Sequence, residues 1–152
     1  MKLKIPYHRQ KKNYTCGPAV LQMVFEYFKT YVPQKKLAKA AGTNKKSGTG
    51  HKAMIDLARS HGFFCYVNEN STINEIKHFI ELGFPVIVNY IEPSQNEGHW
   101  AVVSGFNGRE IILNDPWNGK NFHLSQRWFK NHWHNKSGNR KKSLLVLFKK
   151  SG

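Results

Sequence analysis

Acidic side chains, cysteines and long apolar runs are all scarce in this sequence. Nine Asp and Glu stand against 24 Lys and Arg in 152 residues, a formal charge of +15. The two cysteines, Cys16 and Cys65, lie 49 positions apart with no CxxC spacing, which excludes zinc-ribbon and disulfide-scaffold architectures. A Cys16–Cys65 disulfide is formally available but is not expected in a reducing cytosol. No apolar run approaches the ~20 residues that span a bilayer, and Met1-Lys2-Leu3-Lys4 lacks the apolar region of a signal peptide. These absences lead us to expect a cytoplasmic protein with no membrane span. His132 and His134 with His123 suggest metal ligands, but no acidic residue follows Asp115, so neither metal nor cofactor is expected.

The positive charge is uneven. Residues 1–52 carry 12 Lys and Arg against Glu26 alone, residues 53–126 carry 4 against 8, and residues 127–152 carry 8 against none. The lysines are scattered as pairs (Lys11-Lys12, Lys35-Lys36, Lys45-Lys46, Lys141-Lys142), and no nucleic-acid-binding module is present. The plain reading is a solvated basic surface. The functional one is attraction of an acidic partner: an acidic peptide, an anionic membrane surface or nucleic acid.

The length suits one domain over residues 1–152, and a domain of this size buries about two-thirds of its unfolded surface. Residues 3–7 read as a short strand leading into a loop at Gln10. Apolar positions 20, 21, 24, 25 and 28 predict a helix from 16 to about 28, with Pro18 suited to its first turn. Helices are expected over 33–41 and 52–61, separated by a polar loop at 43–50 that borders a cleft or is mobile; the second is preferred. A strand at 63–67 holds Cys65 as a small hydrophobe. Thr72 with Glu75 forms a capping box for a helix to 82. Strands follow at 85–90, at 99–106 and 109–114 around an Asn107-Gly108 turn, and at 144–148; residues 125–133 read as a helix or an irregular turn. The fold class is α+β, N-terminal helices packed on a C-terminal, mostly antiparallel sheet.

Cys16 stands at the head of the first helix, where free N–H groups and the helix dipole favour a thiolate, the nucleophilic form. Gln10, six residues upstream, carries an amide N–H suited to a developing oxyanion. With Asn107 and Gly108 as the turn, His99 and Asp115 are diagonal neighbours at the open end of the hairpin. An ideal pleat puts them on opposite faces, so a bulge or the departure of the chain at Asp115-Pro116 must turn the carboxylate. Asp115 could then fix the imidazole while its other nitrogen addresses Cys16. Asn114 is the competing orienter, since Cys-His-Asn triads exist, and Asp115 is preferred.

These residues resemble the papain-like cysteine peptidases that process bacteriocin and pheromone precursors after a double glycine, the N-terminal domains of ABC exporters. The resemblance rests on Gln10, Cys16-Gly17-Pro18-Ala19, Gly98-His99-Trp100-Ala101-Val102-Val103 and Asn114-Asp115-Pro116, in that order and spacing. It runs from about Ile5 to Phe148. It implies that Cys16 is the nucleophile, His99 the general base and then acid, and Asp115 its orienter, with Gln10 and the Cys16 N–H forming the oxyanion hole. It also implies cleavage through a thioester acyl-enzyme, a peptide or protein substrate, and a possible ABC exporter as partner. No spans or ATPase follow in this sequence, so a stand-alone member is expected. Alternatives are a same-fold deamidase, acyltransferase or protease toxin, or a catalytically idle peptide-binding module.

Overall fold

Apolar residues at helical spacing produce the first three elements, and β-branched and aromatic runs produce most of the rest. The structure, a computed structural model, describes residues 1–151. In chain order the elements are α1 (Cys16–Tyr27), α2 (Gln34–Ala41), α3 (His51–Ser60), β1 (Phe63–Asn68), α4 (Ile73–Glu81), β2 (Val86–Ile91), β3 (Gly98–Asn107), β4 (Glu110–Asp115), β5 (Gly119–Ser125), α5 (Gln126–His132) and β6 (Leu144–Lys149). The six strands form one sheet in the order β1-β6-β2-β3-β4-β5, and every pairing is antiparallel.

Both faces of the sheet are covered. Val20, Val24 and Phe25 of α1, Leu37 of α2 and Met54 of α3 pack with Ile87, Val102 and Leu147 on one face. Ile76 and Ile80 of α4 and Phe129 of α5 pack with Val86, Val88 and Val103 on the other. All six residues of β2, Asn89 included, are therefore buried, as expected of a strand covered on both faces. Phe25 stacks on Phe63 with centroids 4.9 Å apart, locking α1 to the edge strand. A buried aromatic of this kind contributes about 1.5–3 kcal/mol.

Several local expectations are met, and four need correction. Thr72 caps α4 by accepting from the Glu75 N–H at 3.1 Å. The Glu75 carboxylate, however, turns to Ser71 Oγ and the Asn68 amide. Residues 3–7 form no strand; Leu3 N–H donates to Ser104 O at 2.7 Å and Lys2 makes a single bridge to Gly105. β5 lies where no strand was expected: only Phe122 and Leu124 alternate with its polar residues, and all of it is partly or fully exposed. The 43–50 loop is held rather than loose: Asn44 Oδ1 accepts from the Lys46 and Ser47 N–H groups, and the Thr43 and Thr49 hydroxyls meet at 2.6 Å.

The fourth correction is the hairpin register. Asn107 pairs with Glu110, so the turn is Gly108-Arg109, and Gly108 takes φ +59. A positive φ at the first central position alone suits a glycine there and leaves Asn107 in the strand. A bulge at Ser104 then shifts the pairing, so that Val102 faces Asn114. One residue further along that register Ala101 faces Asp115, and Ala101 shares a face with His99. The bulge thus puts the histidine and the carboxylate on the same side, and the Leu3 N–H satisfies the bulged residue's carbonyl.

Candidate active site

The head of α1 has its first N–H groups unclaimed. Thr15 stands at the N-cap but makes no side-chain cap; its hydroxyl accepts from Lys12 N–H and reaches Gln34 Oε1 instead. The Cys16 N–H is therefore free to meet a negative atom. Gly17 is required by the close approach of α3's leading loop, since a Cβ there would sit 2.8 Å from Thr49 Cβ. Thr49 is fixed in turn by Trp100, whose indole N–H donates to its carbonyl at 2.9 Å. The residue beside His99 therefore sets the wall behind Cys16.

β3 and β4 bring His99 and Asp115 together. His99 Nε2 lies 2.7 Å from Asp115 Oδ1, and the two residues are 6% and 0% exposed. Nε2 is thus engaged by the carboxylate, which leaves Nδ1 unclaimed in the cleft that Cys16 also lines. Burial alone would lower the His99 pKa. The hydrogen bond to Asp115, the hydrogen bond and charge of Cys16 and the charge of Asp115 outweigh it, and the ring is pushed up to about 10.

Asp115 is densely bonded beyond its contact with His99. Its Oδ1 also accepts from the Trp117 and Asn118 N–H groups, each at 2.9 Å, closing an Asx turn. Its Oδ2 accepts from the Tyr90 hydroxyl and from the Asn118 amide. Burial favours the neutral acid, but the bond and charge of His99, then the Tyr90 and Asn118 donors, hold its pKa below the ordinary range. Tyr90 is itself pushed upward by burial and by Asp115, so it remains a donor. Asn114 lies elsewhere, donating to Ile5 O and accepting from Asn121 N–H.

Gln10 is delivered to the same place by the N-terminal segment. Its N–H donates to Pro116 O at 3.0 Å, and Tyr7 Oη donates to Asp115 O at 2.8 Å. The Gln10 side chain is 7% exposed. One amide N–H goes to Lys12 O at 2.8 Å, which leaves the second for a ligand; its Oε1 is buried with no partner. Gln10, Cys16, His99 and Trp117 line one cleft of about 520 Å³, with the 43–50 loop as part of its wall. The arrangement can generate a thiolate–imidazolium pair, hold its orientation and offer N–H groups to an oxyanion.

Three positions that the sequence left unremarked belong to this site. Tyr90 is cross-strand partner to His99. Asn118 bonds Asp115 on one side and Glu92 on the other. Glu92, 2% exposed, gathers the Ser94, Gln95 and Glu97 N–H groups and so shapes the loop that enters β3. Only the pairing of Tyr90 with His99 was recoverable, from strand register. Cys65 lies in β1, apart from the site, and both cysteines are free thiols. His123, His132 and His134 bond Glu110, Trp128 O and Asn135 O separately, and no group of three metal-ligating side chains occurs among the described residues. No helix is long and apolar enough to cross a membrane.

A cysteine heading a helix against a histidine and an aspartate on an antiparallel sheet is the layout of the papain-like peptidase fold. Residues 2–140 match the Peptidase_C39 like family, and the chain belongs to that family. Solved structures agree on the fold. The peptidase domain of Streptococcus ComA, a bifunctional ABC transporter involved in quorum sensing, superposes with a TM-score of 0.78 at 23% identity, covering 97% of this chain and all of that one. A double glycine motif protease from an AMS/PCAT transporter, solved with its leader peptide, gives 0.77 at 24% identity, covering 99% of this chain and 94% of the other. A C39-like protein from Bacillus anthracis gives 0.75 at 15% identity, with both chains covered completely. A comparison with curated proteins finds none that matches.

Proposed function

We propose that the protein is a cysteine peptidase that cleaves a peptide bond after glycine, in a precursor of the double-glycine leader type. The observation that carries this is the placement of His99 between Cys16 and a buried, ionised Asp115. Cys16 Sγ attacks the scissile carbonyl carbon, and the carbonyl electrons move onto oxygen. The Cys16 N–H and the free Gln10 amide N–H stabilise that oxyanion. As the tetrahedral species collapses, His99 gives its proton to the leaving amine, and a thioester to Cys16 remains. His99 then takes a proton from water, whose oxygen attacks the thioester and releases the acid. Asp115 keeps the ring in the required orientation throughout. The processing domains of the two transporters above share the fold, which supports a leader-type substrate and an exporter partner.

The test is labelling with a peptide aldehyde or vinyl sulfone ending in Gly-Gly. The label should be lost in Cys16→Ala and kept in Cys65→Ala, and a Gly-Gly precursor peptide should be cut by the second variant only. Equal labelling of the two variants would end the proposal.

A further inference from the structure

A second groove opens directly beside the cleft. It has a volume of about 410 Å³ and is walled by Lys11, Lys12, Lys35 and Lys39. Tyr14 lines both cavities, so a chain lying in the cleft can continue past Tyr14 into the groove. Lys45 and Lys46 stand on the cleft wall, bringing the lysines along this path to six. Among the described residues none of the six has a carboxylate within ion-pairing distance, whereas Lys136 on the cleft wall is paired with Glu97. Within residues 1–52 the single acid, Glu26, is bonded to His8. The positive charge here is therefore uncompensated as well as concave.

The groove is also tied mechanically to the site. Gln34, 2% exposed, lines it and accepts from Lys11 N–H at 2.8 Å and from the Thr15 hydroxyl, while its amide donates to Arg9 O. These bonds fasten the loop that presents Gln10 and Cys16 onto α2. A ligand in the groove rests on the loop that carries the proposed oxyanion donors.

We propose that this groove binds an acidic segment of the peptide substrate, making negative charge next to the cleavage site a specificity determinant. The inference rests on the peptidase reading above. Like charges unpaired along one wall lower their mutual repulsion when carboxylates lie between them, and a charged lead-in raises the encounter rate. Continuity with the cleft selects a peptide rather than a nucleic acid as occupant.

The test uses two fluorogenic peptides with one Gly-Gly centre, flanked on both sides by glutamates in the first and by glutamines in the second. At low salt kcat/KM should favour the glutamate peptide by about tenfold, the combined effect of several exposed pairs. Lys35→Ala/Lys39→Ala, both on α2, should cut the preference to about threefold or less and leave turnover of the glutamine peptide unchanged. Lys141→Ala/Lys142→Ala/Lys149→Ala/Lys150→Ala should retain it. A preference undiminished in the groove variant, or one that falls equally in the remote one, overturns the proposal. Fluorescence anisotropy of the labelled glutamate peptide on Cys16→Ala reads the groove without turnover. Groove-dependent binding with no cleavage by the intact protein would refute the peptidase reading and leave the groove standing. Displacement of that peptide by a single-stranded oligonucleotide at lower concentration than by unlabelled peptide would overturn the choice of a peptide occupant.

Discussion

His99 Nε2 meets Asp115 Oδ1 at 2.7 Å because one bulged residue, Ser104, slides β4 along β3. The contact separates two readings of the same dipeptide. Asp115→Asn keeps the side chain's size but removes the charge facing the imidazolium, so kcat/KM should fall a hundredfold or more, on the order seen when a triad carboxylate is neutralised. Asp115→Ala strands the Tyr90 and Asn118 donors as well, and should cost about 3–5 kcal/mol of stability. Asn114→Ala should lower the melting temperature while the folded protein keeps most of its kcat. Steady-state kinetics with thermal melts decide it: loss of kcat in Asn114→Ala with Asp115→Asn active would make Asn114 the orienter.

The raised pKa of His99 predicts an imidazolium that persists at neutral pH. Below its ordinary value of 6.5 the ring is charged in both folded and unfolded states, so its native contacts contribute fully. That contribution is lost as pH rises through about 10. Asp115 works in the opposite sense: its contribution holds above the ordinary 3.8 and fades as pH falls through its depressed value. In histidine-labelled NMR the His99 ring should show no titration from pH 5 to 8.5. In Cys16→Ala, without the sulfur beside it, its midpoint should move down. A midpoint near 6.5 in the intact protein would refute the ion pair.

Glu92 bonds Asn118 and the loop before β3, and on the peptidase reading its expected role is to position Asp115 and that loop. Its own pKa is held low despite burial by Ser94, by the Gln95 and Glu97 N–H groups and by Asn118. Glu92→Gln cannot serve all these donors, because its amide offers one acceptor oxygen. We expect about a tenfold loss of kcat at similar KM, with a downward shift of the His99 NMR midpoint. A melting temperature that drops while kcat and the midpoint hold would assign Glu92 to loop stability alone.

The parts of the fold and site that the sequence made legible are those whose chemistry is local. Cys16 at a helix start and the capping of α4 by Thr72 depend on neighbours within one turn, and both appear as expected. Pairing His99 with Asp115 needed only a hairpin. The true register did not show, because the Ser104 bulge answers to the Leu3 N–H, a contact made across about a hundred residues. Gln34, Glu92 and Asn118 were hidden for a related reason. Polar residues in loops or at helix starts read as solvent-facing, and only the folded chain shows that their partners are buried with them. β5 escaped notice because its alternation rests on Phe122 and Leu124 alone, with no β-branched residue beside them to mark a strand.

His51 exchanges its proton in a pH window that His99 and Asp115 do not occupy. It opens α3 with its ring 4.6 Å from that of Trp100, and its Nε2 is buried with no hydrogen-bond partner. Burial first, and then the charge of Arg140, push its pKa down to about 4, against a smaller opposing pull from Glu69. Unfolded, the same ring takes a proton near 6.5. Between those two values the unfolded chain binds more protons than the native one, so stability falls as pH falls. Across that interval His99 is charged in both states, and Asp115 begins to matter only below 3.8. His51→Phe can keep the contact with Trp100 and has no proton to bind. Its melting temperature should therefore fall less steeply than the parent's between pH 6.5 and 4.5, with the two curves parallel from pH 7 to 8.5. Parallel curves through the acidic window would show that His51 takes up its proton without unfolding.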